Sequence, residues 1–418
     1  DIFVTSLLVD LCVYDRDSFG MYPDFSYLFH DLFGTEIGNG WALIKTFGFF
    51  LAMAFIISGF LIASEFKRKE QEGLMKGMKE VEIIGAAPKL QEVLTTGLIG
   101  FLLGFKLLYI LQNFDETKAD AARVLLSGKG VLWAGLLGGA IFAAWRYIEK
   151  KRQQKEKPIK KEHLIMPHQR IGDILIVAAI SGVVGAKIFA IIEPEAFQEF
   201  LKRPFQTFFS GSGLAMLGGL IMGFLAVFIH VKRKKIDAIH VMDVSGLALL
   251  MGYGIGRLGC HFSGDGDWGI VNTLEKPFSW FPDWLWAYNY PNNIAGDCSS
   301  YTFNMEQLNG NCNFLETPYI IDPVWTTSPY ETIISFILLG ILWSIRKRIK
   351  VSGVLFFIFL MFYGLERFLI EFIRINHRYE AFFNLTQAQI ISLSFIPVSL
   401  VAIWYLRKRS KEGNPLIF

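Results

Sequence analysis

Long apolar stretches recur along the chain, and a polar or charged segment separates each from the next. A helix needs about 20 mostly apolar residues to cross a bilayer. The stretches do not alternate apolar and polar residues, as the strands of a membrane barrel would. The pattern therefore predicts an all-α polytopic membrane protein with nine transmembrane helices, at residues 41–64, 91–113, 130–148, 171–194, 211–231, 239–260, 330–347, 353–376 and 387–406.

The composition supports a membrane protein. Of the 418 residues, 52% are hydrophobic and 19% are charged, and the mean hydropathy is +0.38. The 41 Lys and Arg against 38 Asp and Glu leave a net charge of +3, which does not indicate a nucleic-acid partner. Four cysteines are too few for a scaffold held by disulfides.

The basic residues predict the orientation of the helices. If residues 1–40 lie outside, the inside loops contain 27 of the 41 Lys and Arg, and the outside segments contain nine. Cytoplasmic loops carry such an excess, so we expect the N-terminus outside and the C-terminus inside. The predicted domains are an outer segment (1–40), helices one to six (41–260), an outer loop domain (261–329), and helices seven to nine with a basic inner tail (330–418).

The predicted outer loop contains a dense aromatic stretch, FSWFPDWLWAYNYP at residues 278–291. Aromatic side chains with one polar end suit the membrane–water boundary. A small core for the loop itself explains the stretch equally well. Cys298 and Cys312 lie in the same loop, and we expect a disulfide between them if the loop faces an oxidising compartment.

An internal repeat is visible in the first half of the chain. Residues 97–113 resemble 180–196, and residues 127–139 resemble 210–223. The pattern predicts a duplicated helix pair over about 91–148 and 171–231. The alternative is that small residues simply recur wherever membrane helices pack closely.

Charged residues inside two predicted helices indicate a site. A charge at the bilayer centre costs roughly 2.5–3.5 kcal/mol, and helix 353–376 contains Glu366, Arg367, Glu371 and Arg374. Arg257 reaches a similar depth on another helix. Because arginine binds phosphate in a bidentate fork, the pair predicts a site for a lipid phosphate. Salt bridging, for example between Arg367 and Glu371, is the alternative.

The segment GRLGCHFSGDGDWG (256–269) begins at Arg257 and its preceding glycine, where the predicted helix ends. Its glycines are expected to let the chain turn closely over a lipid headgroup. It places four side chains with metal-binding or nucleophilic chemistry within eight residues. One histidine with two carboxylates is a weak pattern for a metal, so no metal site is predicted. The four are Cys260, His261, Asp265 and Asp267.

Four segments of the chain resemble the prolipoprotein diacylglyceryl transferases of bacterial inner membranes. GRLGC (256–260) is similar to that family's Gly-Arg-Leu-Gly-Asn signature, and Asp243 before it also matches. TSPYE (327–331) and YGLERFLIEFIR (363–374) resemble two further family motifs, and SGSGLAMLGG (210–219) resembles a family loop. The resemblance covers most of the chain outside residues 86–170. The chain is identified as a divergent member with a duplicated helix pair.

The resemblance implies a multi-pass enzyme of the bacterial inner membrane, with residues 1–40 and 261–329 in the periplasm. Such an enzyme moves the diacylglyceryl group of phosphatidylglycerol to the lipobox cysteine thiol of a prolipoprotein and releases glycerol phosphate. It implies no cofactor; the partners are phosphatidylglycerol, the prolipoprotein signal peptide and, as a further expectation, other inner-membrane export subunits. The expected catalytic residues are Arg257, Arg367, Glu371, Tyr363 and His261, and the expected substrate-binding residues are Gly218, Gly219, Cys260, Asp265, Asp267, Tyr330 and Glu331.

The chain departs from the family pattern at three positions. Leu217 stands where the family has a histidine, Phe47 where it has a tyrosine, and Cys260 where it has an asparagine. The usual candidate base is therefore missing, and the candidates to replace it are His261, Asp265, Asp267 and Glu331. The alternative function is an inactive member that serves as a lipid-binding or scaffolding subunit of an export or lipoprotein-processing complex. A transporter is a third reading, but no broken-helix ion site is evident.

Overall fold

A computed structural model describes residues 21–84, 86–119, 124–125, 127–155, 159–192, 194–208, 215–295, 322–376, 378–379 and 383–412. Cys298 and Cys312 lie outside these residues. The helices in chain order are α1 (Phe25–Phe33), α2 (Thr46–Gln71), α3 (Leu90–Gln112), α4 (Phe114–Ala119), α5 (Leu132–Gln153), α6 (Ile171–Ile192), α7 (Pro194–Lys202), α8 (Pro204–Phe208), α9 (Met216–Arg233), α10 (Ala238–Ser263), α11 (Asp283–Trp286), α12 (Thr327–Ile345), α13 (Val354–Ile370) and α14 (Gln387–Lys411).

Each of the nine predicted spans overlaps a helix in the described part of the chain. Among the described residues, six helices are long and apolar enough to cross a membrane: α2, α3, α6 with the turn before it, α10, α12 and α14. The protein is therefore a polytopic helical membrane protein, and the full count of nine spans stays a prediction.

Helix α13 ends earlier than the sequence pattern predicts. A 3-10 turn follows it at Glu371–Ile373, and Arg374 is already extended, at φ −89° and ψ 155°. The backbone N–H of Ile270 donates to the carbonyl of Ile373 at 2.8 Å. At this point the chain therefore leaves the helix and pairs with the loop that follows α10.

Two short ribbons were not predicted from the sequence. Strand β1 (Met78–Ile84) pairs antiparallel with β2 (Ile159–Ile165), and β3 (Arg378–Tyr379) pairs with β4 (Leu385–Thr386). The register of the first ribbon runs from Met78 opposite Ile165 to Ile84 opposite Ile159. Its strands are rich in charge, and helices α3 and α5 lie between them in the chain.

The described residues form two compact units. The first is drawn from residues 1–54, 249–350 and 357–408, and the second from 55–248, 351–356 and 409–418. The second unit has an apolar core that includes Ile62, Phe66, Val231 and Val244.

Two helix hairpins in the second unit, α3 with α5 and α6 with α9, are built alike. A Cβ placed on Gly100 would lie 2.5 Å from the Gly138 carbonyl oxygen, and one on Gly185 would lie 2.6 Å from that of Gly218. Glycine permits this close approach of backbones in both hairpins. The duplication itself stays a prediction.

Asp243 caps a helix within the second unit. Its carboxylate accepts the backbone N–H groups of Gly353 at 3.0 Å and Phe356 at 3.2 Å, where α13 begins. A carboxylate at a helix N-terminus satisfies unpaired donors and the helix dipole. The residue that matches the family motif therefore fixes the start of the helix that carries Arg367.

We expect Gly104→Ala to destabilise the protein by about 1–3 kcal/mol, because overpacking a closely packed contact costs this much. A Cβ at Gly104 would lie 2.3 Å from the Ala134 carbonyl oxygen. Gly340→Ala is the matched control, since nothing lies within 4 Å of its Cβ position on α12. Thermal unfolding in detergent should show a lower transition temperature for Gly104→Ala alone. Equal transition temperatures would contradict the α3–α5 packing.

The aromatic stretch of the loop divides between core and surface. Tyr288 and Tyr290 are buried with Met21, Trp268 and Val324 in a core of the first unit. Trp280 is 75% exposed and stacks with the exposed Phe278 at a centroid distance of 5.4 Å. Part of the stretch therefore forms a core of the loop, and a position of Phe278 and Trp280 at the membrane–water boundary stays a prediction.

Candidate active site

Ionisable residues meet in the first unit at the ends of three helices. Arg257 lies near the C-terminal end of α10, Glu331 lies in the second turn of α12, and Arg367 lies near the C-terminal end of α13. Glu371 and Arg374 follow on the 3-10 turn and the extended segment after it.

Glu331 is the centre of these contacts, and its side chain is fully buried. Arg257 Nη2 pairs with Oε2, and Arg367 Nη1 donates to Oε1 at 3.0 Å. Arg374 Nη1 lies 3.5 Å from Oε1, and the Tyr253 hydroxyl donates to the same oxygen at 2.9 Å. Three guanidiniums therefore converge on one carboxylate.

Two further carboxylates connect the same guanidiniums. Glu371 Oε2 lies 3.0 Å from Arg367 Nη2 and 3.9 Å from Arg374 Nε. Asp267 accepts a hydrogen bond from Arg374 Nη2 at 2.7 Å and also pairs with Arg257. Three cations and three anions cancel in formal charge. We call this set the arginine network: Arg257, Arg367, Arg374, Glu331, Glu371 and Asp267.

The loop after α10 is tied to the start of α12. The carbonyl of Asp267 accepts the Thr327 hydroxyl at 2.7 Å and the Ser328 hydroxyl at 3.2 Å. A Cβ at Gly269 would lie 2.5 Å from the Ile373 carbonyl oxygen, so glycine is required where the loop passes the end of α13. These contacts hold Asp267 against the guanidiniums.

The two aspartates of the loop differ in protonation behaviour. Burial alone would raise the pKa of Asp267, but the guanidiniums of Arg257 and Arg374 outweigh burial and hold that pKa below its usual value. Burial raises the pKa of Asp265, whose Oδ1 accepts the backbone N–H of Asp267 at 3.2 Å. Asp267 is therefore an anion of the network, and Asp265 retains a proton more readily.

Cys260 lies beside the network. Its buried sulfur is 3.7 Å from Arg257 Nη1, and Cys260, Asp265 and Asp267 have donor atoms within 4.8 Å of one another, as a metal site would require. Arg257 already contacts both Cys260 and Asp267. This set therefore surrounds a guanidinium, and a cation there would compete with that guanidinium.

His261 lies in aromatic surroundings. Its Nδ1 is 3.2 Å from the Tyr290 hydroxyl, and its ring packs against Phe262, Trp284 and Tyr288. The histidine is 2% exposed, so these rings enclose it almost completely. These contacts are those of a core histidine, and a catalytic role for it stays a prediction.

The predicted tyrosines contact the edges of the site. The ring of Tyr363 meets that of Tyr253 at 5.6 Å and 85°, and Arg257 lies over the Tyr253 ring at 6.0 Å. Tyr330 donates its hydroxyl to the Leu285 carbonyl at 2.6 Å and so ties α12 to the aromatic loop. Phe47 lies beside the signature, 3.5 Å from the Cβ position of Gly259.

Gly218 and Gly219 belong to the second unit, where they pack α9 against α6. Their Cβ positions would lie 2.6 Å from the Gly185 carbonyl oxygen and 3.0 Å from that of Gly182, respectively. Close helix packing explains both glycines, and substrate binding by them stays a prediction.

Arg374 was not among the site residues expected from the sequence. It was predicted only as one of the charged residues of the span 353–376, and the structure shows that it contacts Glu331, Glu371 and Asp267. Its spacing of three residues from Glu371 was a signal that could have included it.

Comparison with known proteins places these motifs in one family. Residues 153–405 match the family model of the prolipoprotein diacylglyceryl transferases. A phosphatidylglycerol–prolipoprotein diacylglyceryl transferase of Clostridium botulinum is 28% identical over 57% of this chain and 82% of its own length. An enzyme of the same name from Leptospira interrogans is 26% identical over 62% of this chain and 86% of its own length. Another, from Clostridium perfringens, is 30% identical over 49% of this chain and 67% of its own length.

The match includes the GRLGC signature, the TSPYE motif and the segment that carries Arg367, and it confirms the relationship predicted from them. On this evidence the chain belongs to the prolipoprotein diacylglyceryl transferase family.

Proposed function

We propose that this chain transfers the diacylglyceryl group of phosphatidylglycerol to the cysteine thiol of a prolipoprotein, and that the arginine network holds the lipid phosphate. The activity is the one for which its relatives are named. The observation that carries the site is the convergence of Arg257, Arg367 and Arg374 on the buried Glu331.

The reaction requires an anionic leaving group to be stabilised. The substrate thiolate attacks the glycerol carbon that bears the phosphate, a C–S bond forms, and the C–O bond to the phosphate breaks. Glycerol phosphate leaves with the electron pair. Guanidiniums held in a buried site stabilise the developing charge without reorganising at the moment of reaction.

The carboxylates of the network position the guanidiniums before the lipid binds. Because the network is neutral as a whole, long-range attraction of the lipid is weak. Binding then depends on short bidentate hydrogen bonds, in which phosphate oxygens replace some contacts of Glu331 or Asp267 with Arg257 and Arg374. Asp267 is the more exposed of the two carboxylates and is the easier one to replace.

The positive-inside pattern supports an orientation in which the N-terminus, the loop after α10 and the network lie toward the periplasm, and the C-terminus lies in the cytoplasm of a bacterial inner-membrane protein. The exposed Phe278 and Trp280 then face the membrane surface, where they suit a contact with the apolar signal peptide.

Purified protein in nanodiscs containing phosphatidylglycerol tests the activity. We expect a synthetic lipobox peptide to gain the mass of one diacylglyceryl group, with release of one equivalent of glycerol phosphate. Nanodiscs of phosphatidylcholine and a peptide with Ser in place of the lipobox Cys are the controls. Binding of phosphatidylglycerol without transfer would contradict the proposal and favour a lipid-binding scaffold.

A further inference from the structure

Glu366 lies on α13, three residues after Tyr363 and directly before Arg367 in the chain. It is 6% exposed, and neither carboxylate oxygen has a hydrogen-bond partner among the residues that the structure describes. A buried carboxyl without a partner is costly in an apolar environment. Packing gives no reason to retain it, so a function is indicated.

The carboxyl lines an apolar groove of about 310 Å³ between α12 and α13. The wall formed by α12 begins at Ile334, three residues after Glu331 in the chain. The wall formed by α13 includes Glu366, which directly precedes Arg367 in the chain. The groove therefore runs along α12 and α13, and both of its walls contain residues close in sequence to members of the arginine network. The remaining lining residues are all apolar: Leu338, Phe362, Leu365, Leu369, Ile370 and Ile373.

We propose that Glu366 is the general base that accepts the proton of the substrate thiol. This role rests on the proposed transferase function and supplies the base that the chain lacks at Leu217. In this proposal the thiol enters the groove that the Glu366 carboxyl lines.

The other acids of the site are less suitable. Glu331, Glu371 and Asp267 each contact two or more guanidiniums, and protonation of any of them would break those ion pairs. Asp265 is held by the backbone N–H of Asp267. Glu366 keeps both oxygens available and borders a space that a substrate can enter.

The step balances without a further reactant. The S–H proton moves to Glu366, the sulfur lone pair forms the C–S bond, and the C–O electrons leave with glycerol phosphate. Glu366 then returns its proton to the departing phosphate or to water. The charged and titratable groups near Glu366 belong to α10, α12 and α13 and the segment after it: Tyr253, Arg257, Glu331, Tyr363, Arg367 and Arg374.

The test compares wild type, Glu366→Gln and Glu366→Asp on a lipobox peptide between pH 6 and pH 9. Loss of a general base costs about 10²–10⁴-fold, so we expect Glu366→Gln to lower kcat at least about a hundredfold at pH 7. Its rate should rise with pH, because a free thiol ionises near pH 8.5. Glu366→Asp should retain part of the activity. Glu162→Gln, at an exposed glutamate paired with Lys79 in the β1–β2 ribbon, should match wild type.

A selenocysteine peptide separates proton transfer from structure. A selenol is largely ionised at neutral pH, so Glu366→Gln should transfer lipid to this peptide at nearly the wild-type rate. If Glu366→Gln is as active as wild type on the cysteine peptide, or equally impaired on both peptides at every pH, the assignment is wrong. A wild-type protein inactive on both peptides would overturn the transferase function and the role of Glu366 with it.

Discussion

Arg257→Ala is expected to lower the rate of diacylglyceryl transfer at least about a thousandfold. The substitution removes a preorganised donor for the leaving phosphate, and one such donor is worth about 10²–10³ in rate. It also leaves the buried Glu331 without one of its guanidiniums and Cys260 without its nearest cation. Release of glycerol phosphate from phosphatidylglycerol nanodiscs measures the effect.

Arg257→Lys distinguishes charge from geometry at the same position. An ammonium retains the charge but cannot form the bidentate fork, so we expect the lysine variant to remain severely impaired. Arg407→Ala, at an exposed position near the end of α14, is the matched control and should have wild-type activity. Full activity of Arg257→Ala would contradict the assignment of the phosphate site.

Glu331→Gln is expected to lower the free energy of unfolding by about 3–5 kcal/mol, because removal of one partner from a buried ion-pair cluster leaves the other charges uncompensated. Three guanidiniums contact this carboxylate, so the unbalanced charge cannot be relieved at one pair alone. Thermal unfolding in nanodiscs measures the loss, with Glu162→Gln as the control for loss of an exposed glutamate charge.

The lipid dependence of this variant tests the phosphate site as well. If a phosphate can take the place of the missing carboxylate, phosphatidylglycerol should raise the unfolding temperature of Glu331→Gln more than that of wild type, relative to phosphatidylcholine. An unfolding temperature for Glu331→Gln that is unchanged from wild type would show that Glu331 does not organise the guanidiniums.

Much of the fold was predictable because membrane helices depend on local sequence. About 20 consecutive apolar residues are long enough to span a membrane wherever they occur, and each predicted span overlaps a helix among the described residues. The end of α13 was not predictable in this way. Its apolar pattern continues past Ile370, but the pairing of Ile270 with Ile373 stops the helix.

The site was predictable in part. Arg257 and Arg367 were singled out because a charge within a membrane helix is costly unless it has a partner. Both arginines pair with Glu331. The sequence could not predict this shared partner, because it does not show which faces of separate helices pack together. The expected salt bridge between Arg367 and Glu371 is observed, and the lipid-phosphate site stays a prediction. That salt bridge belongs to the same network as the pairs with Glu331.

The amino-acid sequence alone was enough to establish the membrane class, the helical segments, the family and most of the charged residues of the site, because each of these depends on short stretches of chain. The tertiary structure decided which charges neutralise one another, that Arg374 joins them and that Glu366 is left to face a groove. Electrostatic partnership depends on distances of 3–4 Å between side chains far apart in the chain, and only the packing of α10, α12 and α13 sets those distances.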